Sequence, residues 1–229
     1  MKTAIVHSEQ PVLLVGGGAL PEGALNPLLA RTGPRVAADG GARALLRAGV
    51  TPDAVIGDMD SLTAEDAARI PQERYHRIDE QDSTDFDKCL RNISAPLVLG
   101  AGFLGARIDH QLAAMTVLCQ RADRRCILVG EDDVVALAPP RLALDLWPGC
   151  RVSLFPMAPI RAAGTGLRWP LEGLDFAPHD RVGTSNEAAA AHVEISVPAP
   201  HMLVILPPEA LDALERGLLT APDAWPARA

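Results

Sequence analysis

Lysine is nearly absent from this chain. Lys2 and Lys88 are the only two among 21 basic side chains, and neither sits in a Gly-Lys-Ser/Thr tripeptide. A Walker-type phosphate loop is therefore excluded, so arginine, metal or backbone amides must hold any phosphate bound here. A GC-rich genome also produces an arginine bias of this kind. No Cys-x-x-Cys pair occurs among Cys89, Cys119, Cys126 and Cys150. Zinc-ribbon and thioredoxin-like chemistry thus lack support, and buried reduced thiols are the plain reading. There is no basic tail or arginine stripe, and the net charge is -8, so nucleic acid is not an expected partner. No apolar run approaches the roughly 20 residues of a membrane helix, and the segment Met1–Glu9 is too polar and interrupted for a signal peptide. These absences lead to the expectation of a cytoplasmic protein with no membrane partner. Gly-x-Ser-x-Gly is missing too, and with it the usual hydrolase nucleophile signature.

What is present divides the chain in two. Up to residue 137, short apolar runs alternate with helical stretches, the pattern of parallel βαβ units. Strands are expected at Val12–Val15, Arg35–Ala38, Ala54–Ile56, Tyr75–Ile78, Leu97–Leu99 and Cys126–Val129, with helices over 42–48, 84–91 and 109–120. From residue 138 the pattern changes to alternating apolar runs separated by proline and glycine, as in Leu142-x-Leu144-x-Leu146 and His192–Val197. That reads as a small antiparallel β domain. One amphipathic helix is expected over 208–219. The expected domains are 1–137, α/β with a parallel sheet, and 138–229, all-β with a helical tail.

The motifs that carry chemistry fall where strands stop or helices start: Asp39-Gly40-Gly41-Ala42, Gly57-Asp58-Met59-Asp60-Ser61, Asp82-Ser83-Thr84-Asp85-Phe86-Asp87-Lys88 and Arg107-Ile108-Asp109-His110. In open α/β sheets ligands bind beyond the carboxyl ends of the strands. Carboxylates gathered there repel unless a cation lies between them, and oxygen ligands with substrate phosphates suit Mg²⁺. In extended chain Asp58 and Asp60 point to the same side; a solvated turn is the bland alternative. Asp82 or Ser83 could simply be a helix N-cap. Lys88 either contacts phosphate or pairs with Asp85 one turn earlier. Gly100-Ala101-Gly102-Phe103-Leu104-Gly105 matches a dinucleotide fingerprint but lies on the fifth strand, not the first. Its other role would be to admit polyphosphate close to the backbone, with Arg107 reaching the charge. Aromatics are only 3% of the chain. Trp169, in the glycine-flanked loop 164–171, is therefore either a core plug or a stacking surface for a flat, possibly cationic ring.

In order and spacing, these motifs closely resemble the thiamine pyrophosphokinase family. The resemblance includes Gln81–Lys88, Gly105–His110, Gly166–Leu171 and Thr184–Glu187, and runs from about residue 12 to 206. It implies a homodimer with an α/β domain for ATP and Mg²⁺, a β-sandwich domain contributing to the thiamine site, and an active site at the subunit interface. Thiamine's hydroxyl would attack the β-phosphorus of ATP, giving thiamine diphosphate and AMP. By resemblance, Asp58, Asp60, Asp85 and Asp109 hold or orient Mg²⁺, and Asp39 lies near the reacting groups. Gln81, Asp82, Thr84, Lys88, Gly105 and Arg107 bind nucleotide or phosphates. Trp169 stacks on thiamine, and Ser185 and Asn186 contact its polar edge. Ala106 replaces a glycine common in the family, Met59 replaces a more usual aromatic or other apolar residue, and the tail after Pro207 runs past the usual end. The rival readings are a diphosphokinase for a pterin alcohol and a non-catalytic dinucleotide-binding module built on Gly100–Gly105.

Overall fold

The computed structural model describes residues 4–105, 107–222 and 224–227; Ala106, the departure from the family's glycine pattern, lies outside the described residues. The chain divides into two compact units, Met1–Val117 with Leu128–Gly130, and Leu118–Ile127 with Glu131–Ala229.

In the first unit the elements are β1 (Val6–His7), β2 (Val12–Val15), α1 (Asn26–Leu29), β3 (Arg35–Ala38), α2 (Gly41–Arg47), β4 (Ala54–Gly57), α3 (Ala64–Ala68), β5 (Tyr75–Arg77), α4 (Asp85–Arg91), β6 (Ile93–Ser94) and β7 (Val98–Ala101). They are followed by α5 (Ile108–Gln120) and β8 (Cys126–Val129), which straddle the division. Strand order is β7-β2-β3-β4-β5, and every neighbouring pair is parallel. All four residues of β2 are fully buried. A run that is apolar at every position, not every second one, is what a parallel strand covered on both faces requires. Helices α2 and α4 pack on β2–β3 and β3–β4 respectively.

The chain runs outward from β2 through β3 and β4 to β5, then crosses back to β7 on the other side of β2. The order therefore reverses between β2 and β7, and the crevice at their carboxyl ends is where an open sheet of this kind takes its ligand. Helix α2 begins very close to β2. A Cβ on Gly41 would lie 1.9 Å from the Val15 carbonyl oxygen, so only glycine permits the approach.

The second unit contains β9 (Val134–Leu137), β10 (Arg141–Asp145), β11 (Arg151–Pro156), β12 (Ile160–Arg161), β13 (Ala163–Thr165), β14 (Asp175–Phe176), β15 (Gly183–Glu187), β16 (His192–Ser196), β17 (Met202–Leu206) and α6 (Leu211–Thr220). Antiparallel pairing gives the orders β15-β11-β17-β9 and β10-β16-β13. On β10 and β16 the burial alternates strictly, with Leu142, Leu144, Val193 and Ile195 inside. One face is packed and the other solvated, as the sequence alternation predicts. Helix α6 packs on β10 through a buried stripe that includes Leu211, Leu214 and Leu218. The Trp225 indole N–H donates to the Ala138 carbonyl at 2.9 Å. Over its described residues, the tail beyond Pro207 thus packs onto this unit through α6 and Trp225. An α/β region with a parallel sheet followed by a mostly-β region is the fold class expected from the sequence.

Candidate active site

A cavity of about 1610 Å³ opens at the carboxyl ends of β2, β3, β4 and β7. Every residue lining it belongs to the first unit. Asp39, Asp58, Gln81, Thr84, Asp85, Lys88, Gly105, Arg107 and Asp109, named from the sequence as far apart as 70 positions, all line this one space. Asp82 is exposed and does not.

The acidic groups converge at the mouth of β3 and β4. Asp39, Asp58 and Asp60 each offer a carboxylate oxygen, and these three atoms lie within 4.8 Å of one another. The extended geometry expected for Asp58 and Asp60 is not what brings them together. Met59 has φ +68, so the chain turns through the left-handed region, and the Asp60 amide donates back to Asp58 Oδ1 at 3.3 Å. Asp39 is also left-handed, with φ +41. Such conformations cost a non-glycine residue about 1 kcal/mol or more and persist where the surroundings over-determine them. Ser61 ties the cluster: its amide donates to Asp39 Oδ2 at 3.2 Å and its hydroxyl to Asp60 Oδ1 at 2.9 Å.

Asp39 is 3% exposed, and its Oδ1 is buried without a hydrogen-bond partner. Burial pushes its carboxyl above the usual range; the Ser61 hydrogen bond opposes this, and the charges of Asp85 and Asp60 add to it. A buried carboxylate oxygen left unpartnered beside two more carboxylates is strongly disfavoured without a counter-charge. The donor set is all oxygen, which fits a hard divalent cation such as Mg²⁺.

Two of the four carboxylates assigned to metal from the sequence, Asp58 and Asp60, are in this cluster, and Asp39 is its third member. The other two are engaged elsewhere. Asp85 Oδ1 accepts from the Lys88 ammonium at 3.1 Å, and the Lys88 side chain is 3% exposed. The choice between phosphate contact and pairing with Asp85 thus has its pairing partner in place, while Lys88 still lines the cavity. Asp109 forms a forked pair with Arg107, at 2.6 and 3.2 Å, on the exposed first turn of α5. That hydrogen bond, more than the charge, holds the Asp109 carboxyl below its ordinary range.

Helix α4 is capped by Thr84, whose Oγ1 accepts from the Asp87 amide at 3.2 Å. The N-cap is therefore neither Asp82 nor Ser83, which leaves both side chains to the preceding loop. Ser83 donates to Glu80, and Arg91 reaches the same carboxylate at 2.8 Å. The glycine loop 100–105 packs at Gly102 and opens on the cavity at Gly105: Gly18 N donates to the Gly102 carbonyl at 3.0 Å, a Cβ on Gly102 would meet the Gly16 carbonyl oxygen at 2.7 Å, and a Cβ on Gly105 would meet nothing within 4 Å. The dinucleotide match is thus accounted for by two loops in contact at the β2–β7 switch point.

In the second unit, Trp169 is 49% exposed, so it is no core plug. The Arg168 guanidinium lies 4.8 Å from the ring centroid, over its face, and pairs with Glu187 at 2.9 Å. Ser185, expected at a substrate's polar edge, is exposed and left-handed with φ +59, and its amide donates to the buried Ser153 hydroxyl at 2.9 Å. Asn186 is 6% exposed and its amide is already committed to Trp169's main chain.

Comparison with known families accounts for both units. The model described as thiamin pyrophosphokinase, catalytic domain, matches residues 25–129, and the one described as thiamin pyrophosphokinase, vitamin B1 binding domain, matches residues 142–202. The chain belongs to the thiamine pyrophosphokinase family. Thiamine pyrophosphokinase 1 of Oryza sativa subsp. japonica is 29% identical over 198 residues, spanning 71% of this chain and 74% of that protein. Thiamine pyrophosphokinase 1 of Arabidopsis thaliana is 30% identical over 154 residues, spanning 59% of this chain and 58% of that protein. The crystal structure of thiamin pyrophosphokinase from Geobacillus thermodenitrificans superposes with a TM-score of 0.70 at 25% identity, covering 89% of this chain and all of that one. As a thiamine pyrophosphokinase, the chain is an ATP-dependent diphosphokinase that makes thiamine diphosphate and AMP, with ATP and Mg²⁺ as the family's requirements.

Within this thiamine pyrophosphokinase fold, sequence reading missed several cavity residues. Arg43 and Arg47 of α2 line the cavity. Arg43 also fastens the acidic loop, donating to Asp66 at 3.1 Å and to the Ser61 carbonyl at 3.3 Å. Their signal, two arginines four apart just after Asp39-Gly40-Gly41, looks like any solvated helix face. Among the described residues, no helix is long and apolar enough to cross a membrane.

Proposed function

We propose that pyrophosphate transfer takes place in the first-unit cavity, with ATP's triphosphate held over the acidic cluster. The observation that carries this is the convergence of Asp39, Asp58 and Asp60, one of them with a buried unpartnered oxygen. Asp58 and Asp60, with Asp39, would hold Mg²⁺, while Asp85 and Asp109 orient the ion's surroundings through Lys88 and Arg107. Mg²⁺ at this place supplies charge neutralisation on the phosphate oxygens. Gln81, Thr84, Lys88, Gly105 and Arg107, which line the cavity, bind the nucleotide, with Lys88 and Arg107 as its cations, while Asp82 stands outside it on the preceding loop. The thiamine hydroxyl oxygen forms a bond to the β-phosphorus, the bond from that phosphorus to the α,β-bridging oxygen breaks, AMP leaves, and the hydroxyl proton is released. Little covalent chemistry falls to the protein, so positioning and charge stabilisation do most of the work. Trp169 stacks on thiamine, and Ser185 meets its polar edge.

The functional division is placed at residues 1–137, for ATP and Mg²⁺, and 138–229, for thiamine. The working unit is a homodimer with the active site at the subunit interface. Ile108 and Leu112, one turn apart on α5 and 67% and 56% exposed, support this, since exposed apolar pairs beside a site mark contact surfaces. Sedimentation equilibrium should return twice the chain mass, and a monomer at working concentration would overturn the dimer. Four buried cysteines, none in a disulfide, are in keeping with a cytoplasmic location.

Product analysis tests the reaction. With Mg·ATP and thiamine, AMP and thiamine diphosphate should appear in equal amounts, EDTA should stop turnover, and added Mg²⁺ should restore it. ADP with thiamine monophosphate would replace pyrophosphate transfer by single phosphoryl transfer.

A further inference from the structure

The loop that carries Trp169 is attached to β15 by a short ladder. Arg168 N donates to the Glu187 carbonyl at 2.9 Å, and Leu167 bridges Ala188. At Trp169 the ladder continues through a side chain. The Trp169 amide donates to Asn186 Oδ1 at 3.1 Å, and Asn186 Nδ2 donates to the Trp169 carbonyl at 2.8 Å. Oδ1 also accepts from the Glu187 amide at 2.8 Å. A carboxamide carries one donor group and one acceptor oxygen, the same complement as a peptide unit. Asn186 thus acts as a rung of sheet where the backbone of β15 has turned away at left-handed Ser185. Among the described residues it is one of five buried polar or charged residues, and these hydrogen bonds satisfy its buried carboxamide. Above it, Arg168 covers one face of the indole and is itself held by Glu187. A flat substrate then has a single open face to stack on.

We propose that Asn186 is a positioning residue for substrate recognition: it fixes the main chain of Trp169, so that the indole is held ready as a one-faced platform, and it acts through Trp169 rather than by touching thiamine. This rests on the reading of Trp169 as the stacking surface. The test is a double-mutant cycle on the full-length enzyme, comparing N186A, W169A and N186A/W169A for the KM of thiamine, the KM of ATP and kcat. N186A should raise the thiamine KM about tenfold, with kcat and the ATP KM within about twofold, because two hydrogen bonds that order the platform are lost. N186D keeps the acceptor oxygen and loses the donor, so it should fall between wild type and N186A; it also stands in if N186A does not fold. In the W169A background, N186A should add nothing further to the thiamine KM.

Four results would overturn the proposal in distinguishable ways. If W169A leaves the thiamine KM unchanged, the stacking role fails and this inference falls with it. If W169A raises it but N186A and N186D do not, the platform stands and Asn186 does not order it. If the effects of N186A and W169A multiply in the double variant, Asn186 contacts thiamine directly. An equal rise in the ATP KM would show general damage to the fold instead of positioning.

Discussion

Asp60→Asn is expected to lower kcat by at least about a hundredfold while the melting temperature stays within about 2 °C of wild type. The two halves of that expectation have separate causes. Asp60 is exposed, and its side chain accepts from the Ser61 hydroxyl at 2.9 Å, so little packing depends on it. Removing one of three carboxylates whose oxygens lie within 4.8 Å also relieves like-charge repulsion, which favours the folded protein. Catalysis loses a charged ligand at the point where phosphate charge must be neutralised. The Mg²⁺ concentration for half-maximal activity should rise in the same variant. A kcat near wild type with an unchanged Mg²⁺ requirement would remove Asp60 from the metal site. Asp39→Asn is a less clean probe: Asp39 is buried, left-handed and bonded to the Ser61 amide, so it would mix folding with chemistry.

Lys88→Met should damage both stability and activity. The Lys88 ammonium is nearly fully buried and its partner Asp85 is about one-third exposed. Removing the cation leaves Asp85 facing Asp39 without a counter-charge. Breaking a buried pair costs about 3–5 kcal/mol; because Asp85 retains contact with water, roughly 1–3 kcal/mol is expected here, or a fall in Tm of about 3–10 °C. The kcat/KM for ATP should fall by about 10²–10³, since a fixed cation in the cavity is lost. The double variant Lys88→Met/Asp85→Asn separates the effects. It should recover most of the Tm, because no unpaired charge remains, while activity stays low. Recovery of activity with stability would mean that Lys88 serves only to balance Asp85.

Local chemistry was enough to identify most elements. The unbroken apolar run Val12–Val15 could be satisfied only by a strand covered on both faces, and the alternation Leu142-x-Leu144 only by a strand with one face in water. Thr84 shows the limit of local reading. Asp82, Ser83 and Thr84 are all competent caps, and which one caps α4 depends on where the first helical turn closes, which packing against β3 and β4 sets. The Asp58–Asp60 pair shows another limit: the same two residues meet through a left-handed turn at Met59, not through an extended strand, because Ser61 and Arg43 pull the loop toward Asp39 and α3. From its neighbours alone Trp169 could be plug or platform; the family resemblance pointed to the platform, and its 49% exposure excludes the plug.

By itself, the sequence determined the order of parallel and antiparallel regions, the exclusion of a lysine phosphate loop and the acidic character of the site. These follow from periodicity and residue chemistry, which act over a few neighbouring positions. Only the tertiary structure decided which carboxylates share a site. It brought Asp39 together with Asp58 and Asp60, gave Asp85 to Lys88 and Asp109 to Arg107, and turned Asn186 inward to Trp169. Partner choice among charged and polar groups is settled by distances of a few ångströms and by burial, and those exist only once the strands have been laid side by side.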